Sequence, residues 1–420
     1  MAQIIPSVVS QHIEQAGYLW ARRCQAARSR NYDLGDLEQL DERVDAHVDG
    51  LLAAGCAALP LARDELSFEY AEDAFSFGFV HDDPIAASLE LLESGMDAEV
   101  VRDGIGGMAT WRPWTQIQPV IEALLRRDEP ALVGAGLVAA SGHGRVYELA
   151  YQRVFPSSDP LLLGPALCSV GAFRRHDYKP QVVHLCQATA ERNDVITRLS
   201  LAAAVLLGLP GAERRLLELL LRHDELAEDA WVDFAVRANL NAPRSGPPPH
   251  ALVERFTEPS ARHVATAAVG DPRAVPQLMQ DMEDPEQGKA AFMAFCMITG
   301  ADHDRDGLVG NSPAGAESGP TDDPDDEEVE LPAHEDLEWP DVERVRDWWS
   351  KHAERFTHGQ RYLVGRPIGP SCLPEVLAQG YQHQRRAAAL ESALRDPQAP
   401  LFQIDAPAWR QRACLGPDDR

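Results

Sequence analysis

Basic residues are scarce in this chain of 420 residues: 39 Lys and Arg stand against 66 Asp and Glu, which leaves a net charge of −27 at pH 7. A surface with this excess of carboxylates repels phosphate backbones and anionic lipid, so we expect no direct binding to nucleic acid or to a membrane. A basic protein would instead be attracted and steered toward the chain. The composition therefore predicts a protein partner with a basic surface.

Long hydrophobic runs and paired cysteines are also missing. No window approaches the apolar length that spans a bilayer, and the first residues, MAQIIPSVVSQHIEQAGYLW, have neither early basic residues nor a small-residue cleavage site. The seven cysteines stand singly, without a Cys-X-X-Cys pair, which argues against a disulfide framework and a structural zinc site. These features predict a cytoplasmic protein.

Catalytic motifs are absent from the sequence. It contains no Gly-X-Ser-X-Gly turn, no phosphate-binding Gly-Lys-Ser/Thr loop and no His-Glu-X-X-His pair. The stretch GIGGMA at 104–109 follows no strand pattern, so we interpret it as a turn between helices and not as a dinucleotide-binding loop. We expect His143 and His176, near predicted turns, to be exposed. The sequence predicts a protein without enzymatic activity, cofactor or metal ion.

One pattern recurs between residues 83 and 300. An acidic residue, usually followed by proline, precedes an alanine- and leucine-rich run that usually ends in glycine. Asp caps a helix, Glu favours the positive end of the helix dipole, proline fits the first turn, and glycine supplies a left-handed residue after the last turn. The pattern thus predicts seven helices in series. Their acidic residues are Asp83, Glu129, Asp159, Asp194, Asp229, Glu258 and Asp284.

The spacing of these starts, 26 to 46 residues, leaves room for two short helices in each unit. Segments between them, such as AERRLLELLLRHDE at 212–225, are amphipathic at helical period. Helix pairs of this kind stack side by side because none can bury its apolar face alone. The sequence therefore predicts an all-α fold, a HEAT-like α-solenoid. The unit at 270–300 resembles a HEAT repeat, although HEAT units usually have about 40 to 47 residues.

The two ends of the chain do not repeat. Residues 1–55 contain two predicted helices, the second with apolar residues at spacings of three and four, and we interpret them as an N-terminal helical cap. Residues 56–300 form the predicted solenoid, residues 301–337 an acidic, mobile linker, and residues 338–420 a C-terminal helical region. In this last region we expect two amphipathic helices joined by the RYLVGRPI loop at 361–368.

The acidic stretch begins with DHDRDG at 302–307, which spaces three aspartates as the first half of a helix-loop-helix calcium site does. Such a loop needs a bidentate glutamate at its twelfth position, where this chain has Pro313, and an apolar exiting helix, which is missing. We therefore interpret residues 302–341, with 15 acidic residues and one basic residue, as a solvated segment that a partner would order. Weak cation binding by its first three aspartates stays an alternative.

Two roles are open for this segment: a solubilising linker, or an anionic lure for a basic protein surface such as the nucleic-acid cleft of a nuclease. Three tryptophans flank it, and they either pack the core of the C-terminal helices or anchor a protein interface. The candidate partner-binding residues are Asp322, Asp323, Asp325, Asp326, Glu327, Glu328, Glu330, Trp339, Trp348 and Trp349.

Four stretches carry a resemblance to a known family: LDERVDAHVDGL at 40–51, EWPDVERVRDWW at 338–349, RYLVGRPI at 361–368 and GYQHQRRAAALE at 380–391. With the HEAT-like unit between them, they span nearly the whole chain. They are similar to an uncharacterised family of bacterial HEAT-repeat proteins whose genes often neighbour type VI secretion effectors. That family has no established catalytic residues, so the resemblance assigns none here.

The resemblance implies a role in competition between bacteria. One form of it is an immunity protein that neutralises a cognate toxin in the producing cell; the other is an adaptor that holds an effector for loading onto the secretion apparatus. The net charge of −27 favours the first, since many secreted toxins are nucleases with basic surfaces. A third alternative, a HEAT-like lyase or hydroxylase, would need paired His and Glu motifs that the sequence lacks.

Overall fold

The structure is a computed structural model that describes residues 4–67, 69–188, 194–242, 248–313 and 337–416. These residues are mostly helical, and one short hairpin is the only sheet among them. This confirms the predicted all-α class. The chain divides into two compact units, residues 1–209 with 400–420 and residues 210–399.

The first unit begins with the two helices that the sequence predicts there. Asp33 caps the second of them: its carboxylate accepts a hydrogen bond from the Asp36 amide, and the Asp36 carboxylate accepts one from the Asp33 amide. The apolar stripe of this helix is buried, Leu40 only in part. The helices of the first unit are α1 (Pro6–Ala26), α2 (Leu34–Ala54), α3 (Leu59–Glu65), α4 (Ala71–Val80), α5 (Pro84–Glu93), α6 (Ala98–Trp111), α7 (Trp114–Leu124), α8 (Pro130–Gly142), α9 (Glu148–Val154), α10 (Pro160–Ala172), α11 (Lys179–Ala188), α12 (Val195–Leu206) and α22 (Ala408–Leu415).

Most helices of this unit form one row of packed helices with shorter helices beside it. Helices α4, α6, α8, α10 and α12 pack on one another in chain order. Each shorter helix between them, from α5 to α11, packs on the row helix that follows it. Each step along the row therefore adds one row helix and the shorter helix that packs on it.

The second unit is built in the same way. Helices α14, α16 and α18 pack in chain order, and α13, α15 and α17 each pack on the row helix that follows. Its helices are α13 (Ala212–Leu220), α14 (Asp229–Leu240), α15 (Pro249–Val253), α16 (Pro259–Val269), α17 (Val275–Asp281), α18 (Gly288–Thr299), α19 (Val342–His352), α20 (Cys372–Gln379) and α21 (Gln382–Arg395). Its strands are β1 (Tyr362–Leu363) and β2 (Arg366–Pro367), paired antiparallel.

The predicted helix starts agree with the structure at most positions. The carboxylates of Asp83, Asp159, Asp194 and Glu258 accept backbone amide hydrogen bonds at the helix N-termini. The helix after Asp83 is α5, however, which lies outside the row. The row helix is α6, and this explains the irregular spacing of 46 residues to the next predicted start.

Two predicted starts are displaced. Helix α14 begins at Asp229 itself, with Glu228 in the capping position. Helix α18 begins at Gly288, because the Asp284 carboxylate accepts the Glu286 amide within the preceding turn. The pattern thus locates these helices to within a turn and does not fix their first residues.

Two predictions about irregular segments are wrong. The stretch GIGGMA, 104–109, lies inside α6 and forms no turn. A Cβ at position 104 would lie 2.3 Å from the carbonyl oxygen of Ala71, so the absence of a side chain at Gly104 permits close contact between α4 and α6.

The expected loop at 361–368 contains the β1–β2 hairpin. The long helix expected after it is two helices, α20 and α21, separated at Gly380.

The expectation that no window is long and apolar enough to span a bilayer is wrong for one described stretch, Leu34–Glu65, which is long enough and contains an 18-residue window with a mean hydropathy of 1.2. It is not one regular helix. Helix α2 ends at Ala54, and a 3₁₀ turn over Gly55–Ala58 precedes α3. The stretch is therefore a bent helical segment of the first unit.

Substitution of Gly104 tests the close contact of α4 and α6. We expect Gly104→Ala to lower the free energy of unfolding by about 1–3 kcal/mol, because the added methyl group would overlap backbone atoms of α4. Gly164→Ala in α10 is the matched control. There a Cβ would meet only Leu199 Cδ1, at 3.7 Å, so we expect a gain of about 0.5–1 kcal/mol. Urea unfolding measures both, and equal stability of the two variants would contradict the contact.

Candidate functional site

The two ends of the acidic segment lie side by side in the second unit. The Gly310 amide donates a hydrogen bond to the Trp339 carbonyl over 2.7 Å. The Asp341 amide donates to the Leu308 carbonyl, also over 2.7 Å. The described residues on the two sides of the acidic segment are thus hydrogen-bonded to each other. The predicted binding residues Asp322, Asp323, Asp325, Asp326, Glu327, Glu328 and Glu330 lie outside the described residues.

The aspartates of DHDRDG bind their own backbone. The Asp302 carboxylate accepts the Arg305 amide over 2.9 Å, and the Asp306 carboxylate accepts the Asp302 amide over 2.9 Å. Within the described ranges, no group of three or more His, Cys, Asp and Glu side chains is arranged to hold a metal ion. Two of the three aspartates considered for weak cation binding are therefore engaged in closing a turn.

The three candidate tryptophans are partly buried in the second unit. Trp348 and Trp349 both meet Phe295 of α18 edge-on, with ring centroids 5.7 and 6.3 Å apart, and so attach α19 to α18. Trp339 lies at the N-terminal end of α18, where the Lys289 Nζ atom is 5.1 Å from its ring centroid. Of the three, Trp339 is the residue whose backbone pairs the ends of the acidic segment.

A buried cluster of charges joins α14, the hairpin and α21. Glu391 of α21 is fully buried, and its carboxylate accepts hydrogen bonds from the guanidinium groups of Arg361 and Arg237. The amide of Asn241 donates to it over 3.1 Å, and the Arg395 Nε atom over 3.3 Å. Four donor side chains, from the end of α14, the start of the hairpin and α21 itself, therefore converge on one carboxylate.

This geometry keeps the Glu391 carboxylate ionised. Burial alone would raise the pKa of this group, but Arg361 and Arg237 together lower the pKa of Glu391 to about 2. Arg237 is itself fully buried and also pairs with Asp233, 2.9 Å from its Nε atom. A carboxylate with this pKa and these fixed partners does not exchange protons near neutral pH, so the cluster acts as a structural ion-pair network and not as a general acid.

The hairpin satisfies carbonyl groups at the ends of two row helices. The Tyr362 amide donates to the Gly270 carbonyl after α16 over 2.8 Å, and the Val364 amide donates to the Met297 carbonyl of α18 over 2.7 Å. The Arg361 guanidinium donates to two carbonyls of the last turn of α16, over 2.9 and 3.1 Å. Carbonyls at a helix end have no partner within the helix, so the hairpin supplies the missing donors.

In the first unit the C-terminal segment, residues 400–416, has the same role. The Leu401 amide donates to the Ala172 carbonyl at the end of α10 over 2.8 Å. The Arg410 guanidinium donates to the carbonyls of Gly142 in α8 and Thr110 in α6. The returning chain therefore crosses the C-terminal ends of three row helices.

A buried ion pair between α1 and α2 holds the same segment. The Arg23 Nε atom donates to the Asp41 carboxylate over 2.8 Å, and the two side chains are 3% and 5% exposed. Asp41 also accepts the Ala408 amide, and Arg23 also donates to the carbonyls of Asp405 and Ala406. Burial raises the pKa of Asp41, although the charge of Arg23 opposes this. Both charged groups thus have partners from the C-terminal segment.

The expectation that His143 and His176 are exposed is wrong. The His143 ring is partly buried, donates to the Ala109 carbonyl over 2.9 Å, and has its pKa lowered to about 4 by that burial. Among the described residues, neither ring nitrogen of His176 has a hydrogen-bond partner, and both are buried. Helix ends in this fold lie against neighbouring helices, which buries side chains near the turns.

Sequence reasoning missed Glu391, Arg361 and Arg237. A partial signal exists, since Glu391 follows Ala387 and Ala388 at spacings of four and three and so lies on the apolar face of its helix. Two of the stretches that carry the family resemblance, 361–368 and 380–391, meet at this cluster. No sequence pattern within either stretch predicts that the two pack against each other.

Comparison of the chain with protein-family models, with curated proteins and with solved structures found no match.

Removal of the central carboxylate tests the cluster. We expect Glu391→Gln to lower the free energy of unfolding by about 3–5 kcal/mol, because it leaves the buried Arg237 and Arg361 without their shared counter-charge. Glu218→Gln in α13 is the control, since its ion pairs are longer, at 3.8 Å, and more exposed, and should change stability by less than about 0.5 kcal/mol. Urea unfolding distinguishes the two. Equal effects would contradict a buried network.

The contribution of Glu391 should also vanish at acid pH. Its pKa is about 2 in the folded chain and about 4.3 in an unfolded one, so the folded state binds fewer protons between these values. The stability it provides is complete above about pH 5 and is lost as the pH falls toward 2. The difference between the wild type and Glu391→Gln should therefore shrink over this range. A difference that stays constant down to about pH 3 would refute the lowered pKa.

Proposed function

We propose that this chain is a HEAT-like α-solenoid protein without enzymatic activity that neutralises a cognate type VI secretion toxin, one with a basic nuclease domain, in the cytoplasm of the producing cell. The observation that carries the proposal is the charge, −27 overall. Burial sharpens this imbalance, because the described core holds more basic than acidic residues. The buried charged residues are Arg23, Arg174, Arg198, Arg237, Arg385, Asp41, Asp271 and Glu391.

The helix packing supports the HEAT-like assignment. In each unit the row helices pack in chain order and each carries a shorter partner helix, as helix-pair repeats do. From α6 to α18, the row helices begin 29 to 35 residues apart. Such arrays present long surfaces that suit protein partners better than small substrates.

The acidic segment supports a basic partner. Residues 311–338 carry 11 Asp and Glu and no Lys or Arg, between two attachment points that lie side by side. Charge concentrated in this way raises the rate at which an oppositely charged protein associates, and the effect falls as salt is added. Fast capture suits a protein that must intercept a toxin before the toxin reaches DNA.

Co-expression tests the proposal. The isolated toxin domain of the neighbouring effector is produced in a sensitive host with and without this chain, and cell survival and co-purification are scored. Survival together with a complex of chain and toxin domain is the expected result. The same co-purification is scored with the full-length effector. If the cells die while the chain still co-purifies with the full-length effector, neutralisation is overturned and an adaptor is favoured.

Neutralising the acidic segment tests whether its carboxylates attract the toxin domain. We expect conversion of the seven candidate carboxylates between Asp322 and Glu330 to Asn or Gln to slow association with the toxin domain by about tenfold or more at low salt, as stopped-flow fluorescence measures. A control variant neutralises seven exposed carboxylates elsewhere and keeps the same net charge. Its positions are Glu42, Asp49, Asp64, Glu65, Glu69, Glu93 and Glu254. Equal slowing in both variants would show that overall charge, and not the segment, steers the partner.

A further inference from the structure

A pair of histidines lies between α1 and α2 of the first unit. The Nδ1 atoms of His12 and His47 are 3.1 Å apart, their ring centroids are 5.1 Å apart, and the ring planes make an angle of 66°. Both side chains are partly buried. Two neutral imidazoles in this arrangement share a single proton, since one nitrogen donates and the other accepts.

A glycine makes room for this pair. Gly50 lies one turn after His47 on α2, and a Cβ at this position would lie 2.6 to 2.7 Å from three atoms of the His12 ring. The missing side chain allows the His12 ring to lie directly against α2, next to His47. The backbone of α2 therefore helps to set the distance between the two rings.

We propose that His12 and His47 form a two-nitrogen binding site for a divalent transition-metal ion of the Zn²⁺, Ni²⁺ or Cu²⁺ class. Imidazole nitrogen is the ligand that these ions commonly take in proteins. Two nitrogens bound about 2.0–2.1 Å from one ion are about 2.9 Å apart at a right angle and about 3.3 Å apart at the tetrahedral angle. The observed separation of 3.1 Å lies between these values.

Binding requires only small local changes. The two Nδ1 atoms now face each other, so each ring turns about its side-chain bonds until both lone pairs point at the ion. The ring that donates at Nδ1 moves its proton to Nε2, so no proton leaves the pair when both rings are neutral.

The rest of the coordination shell is open. The described residues supply no third His, Cys, Asp or Glu to this pair. Water, or a side chain of a bound protein, would fill the remaining positions. We therefore expect affinity in the micromolar range, well below that of a closed structural site.

Calorimetric titration with ZnCl₂ at pH 7.5 tests the site in the full chain. Excess MgCl₂ is present to occupy the acidic surface. We expect one Zn²⁺ site in the wild type, weakened at least about tenfold in His12→Phe and in His47→Phe, because loss of a direct ligand costs at least as much as loss of a group that only orients one. The control, His223→Phe, removes a histidine of the second unit that lies 3.3 Å from the Glu225 carboxylate.

The outcomes separate clearly. Equal Zn²⁺ affinity of the wild type and both variants would overturn the proposal and assign the binding to surface carboxylates. A second measurement needs no variant: the electron paramagnetic resonance spectrum of the wild type with one equivalent of Cu²⁺ should show coupling to two imidazole nitrogens. A spectrum with oxygen ligands alone would overturn the proposal even if the variants fail to fold.

Discussion

An α-helix leaves its last four carbonyl groups without partners, and a row of helices repeats that deficit at every helix end. In both units, chain that comes after the row supplies the missing donors. The hairpin at Tyr362 and Val364 does so for α16 and α18, and the C-terminal segment at Leu401 and Arg410 does so for α6, α8 and α10. Each such hydrogen bond contributes about 1 kcal/mol, and a buried carbonyl left without a donor costs more. The carbonyl groups at the ends of these row helices therefore obtain their donors only when distant parts of the chain pack against them.

The returning chain also explains where the charges lie. Arginine has five donors in a rigid fork, which suits it to bind several carbonyls or a carboxylate at once. Arg361 and Arg23 both do this, and each is paired with one buried carboxylate, Glu391 or Asp41. Positive charge is thus drawn into the core, while most carboxylates stay at the surface. This separation of charge, with arginine in the core and carboxylates at the surface, stabilises the fold. It also produces the acidic exterior on which the proposed function rests.

Local signals predicted the helices and missed what joins them. Asp159 with Pro160 marks a helix start because capping and proline chemistry depend on neighbouring residues alone. The predicted turn at Gly104 is wrong because glycine intrinsically disfavours a helix, whereas in α6 the close approach of α4 requires a glycine. The pairing of Glu391 with Arg237 spans 154 residues, and no local rule predicts it. The sequence proposes the tryptophans and the acidic run as candidate binding residues, and this stays a prediction; it gives no sign that the two ends of the run lie side by side.

Hydrogen exchange of the hairpin amides tests most directly whether the returning chain is an integral part of each unit. The amides of Tyr362, Val364 and Gly365 donate to carbonyls at or near the ends of α16 and α18. If these bonds complete the row, the three amides should exchange as slowly as core amides of α16 and α18, through unfolding of the whole unit. Exchange at the rate of an open loop, while the helices stay protected, would contradict this account.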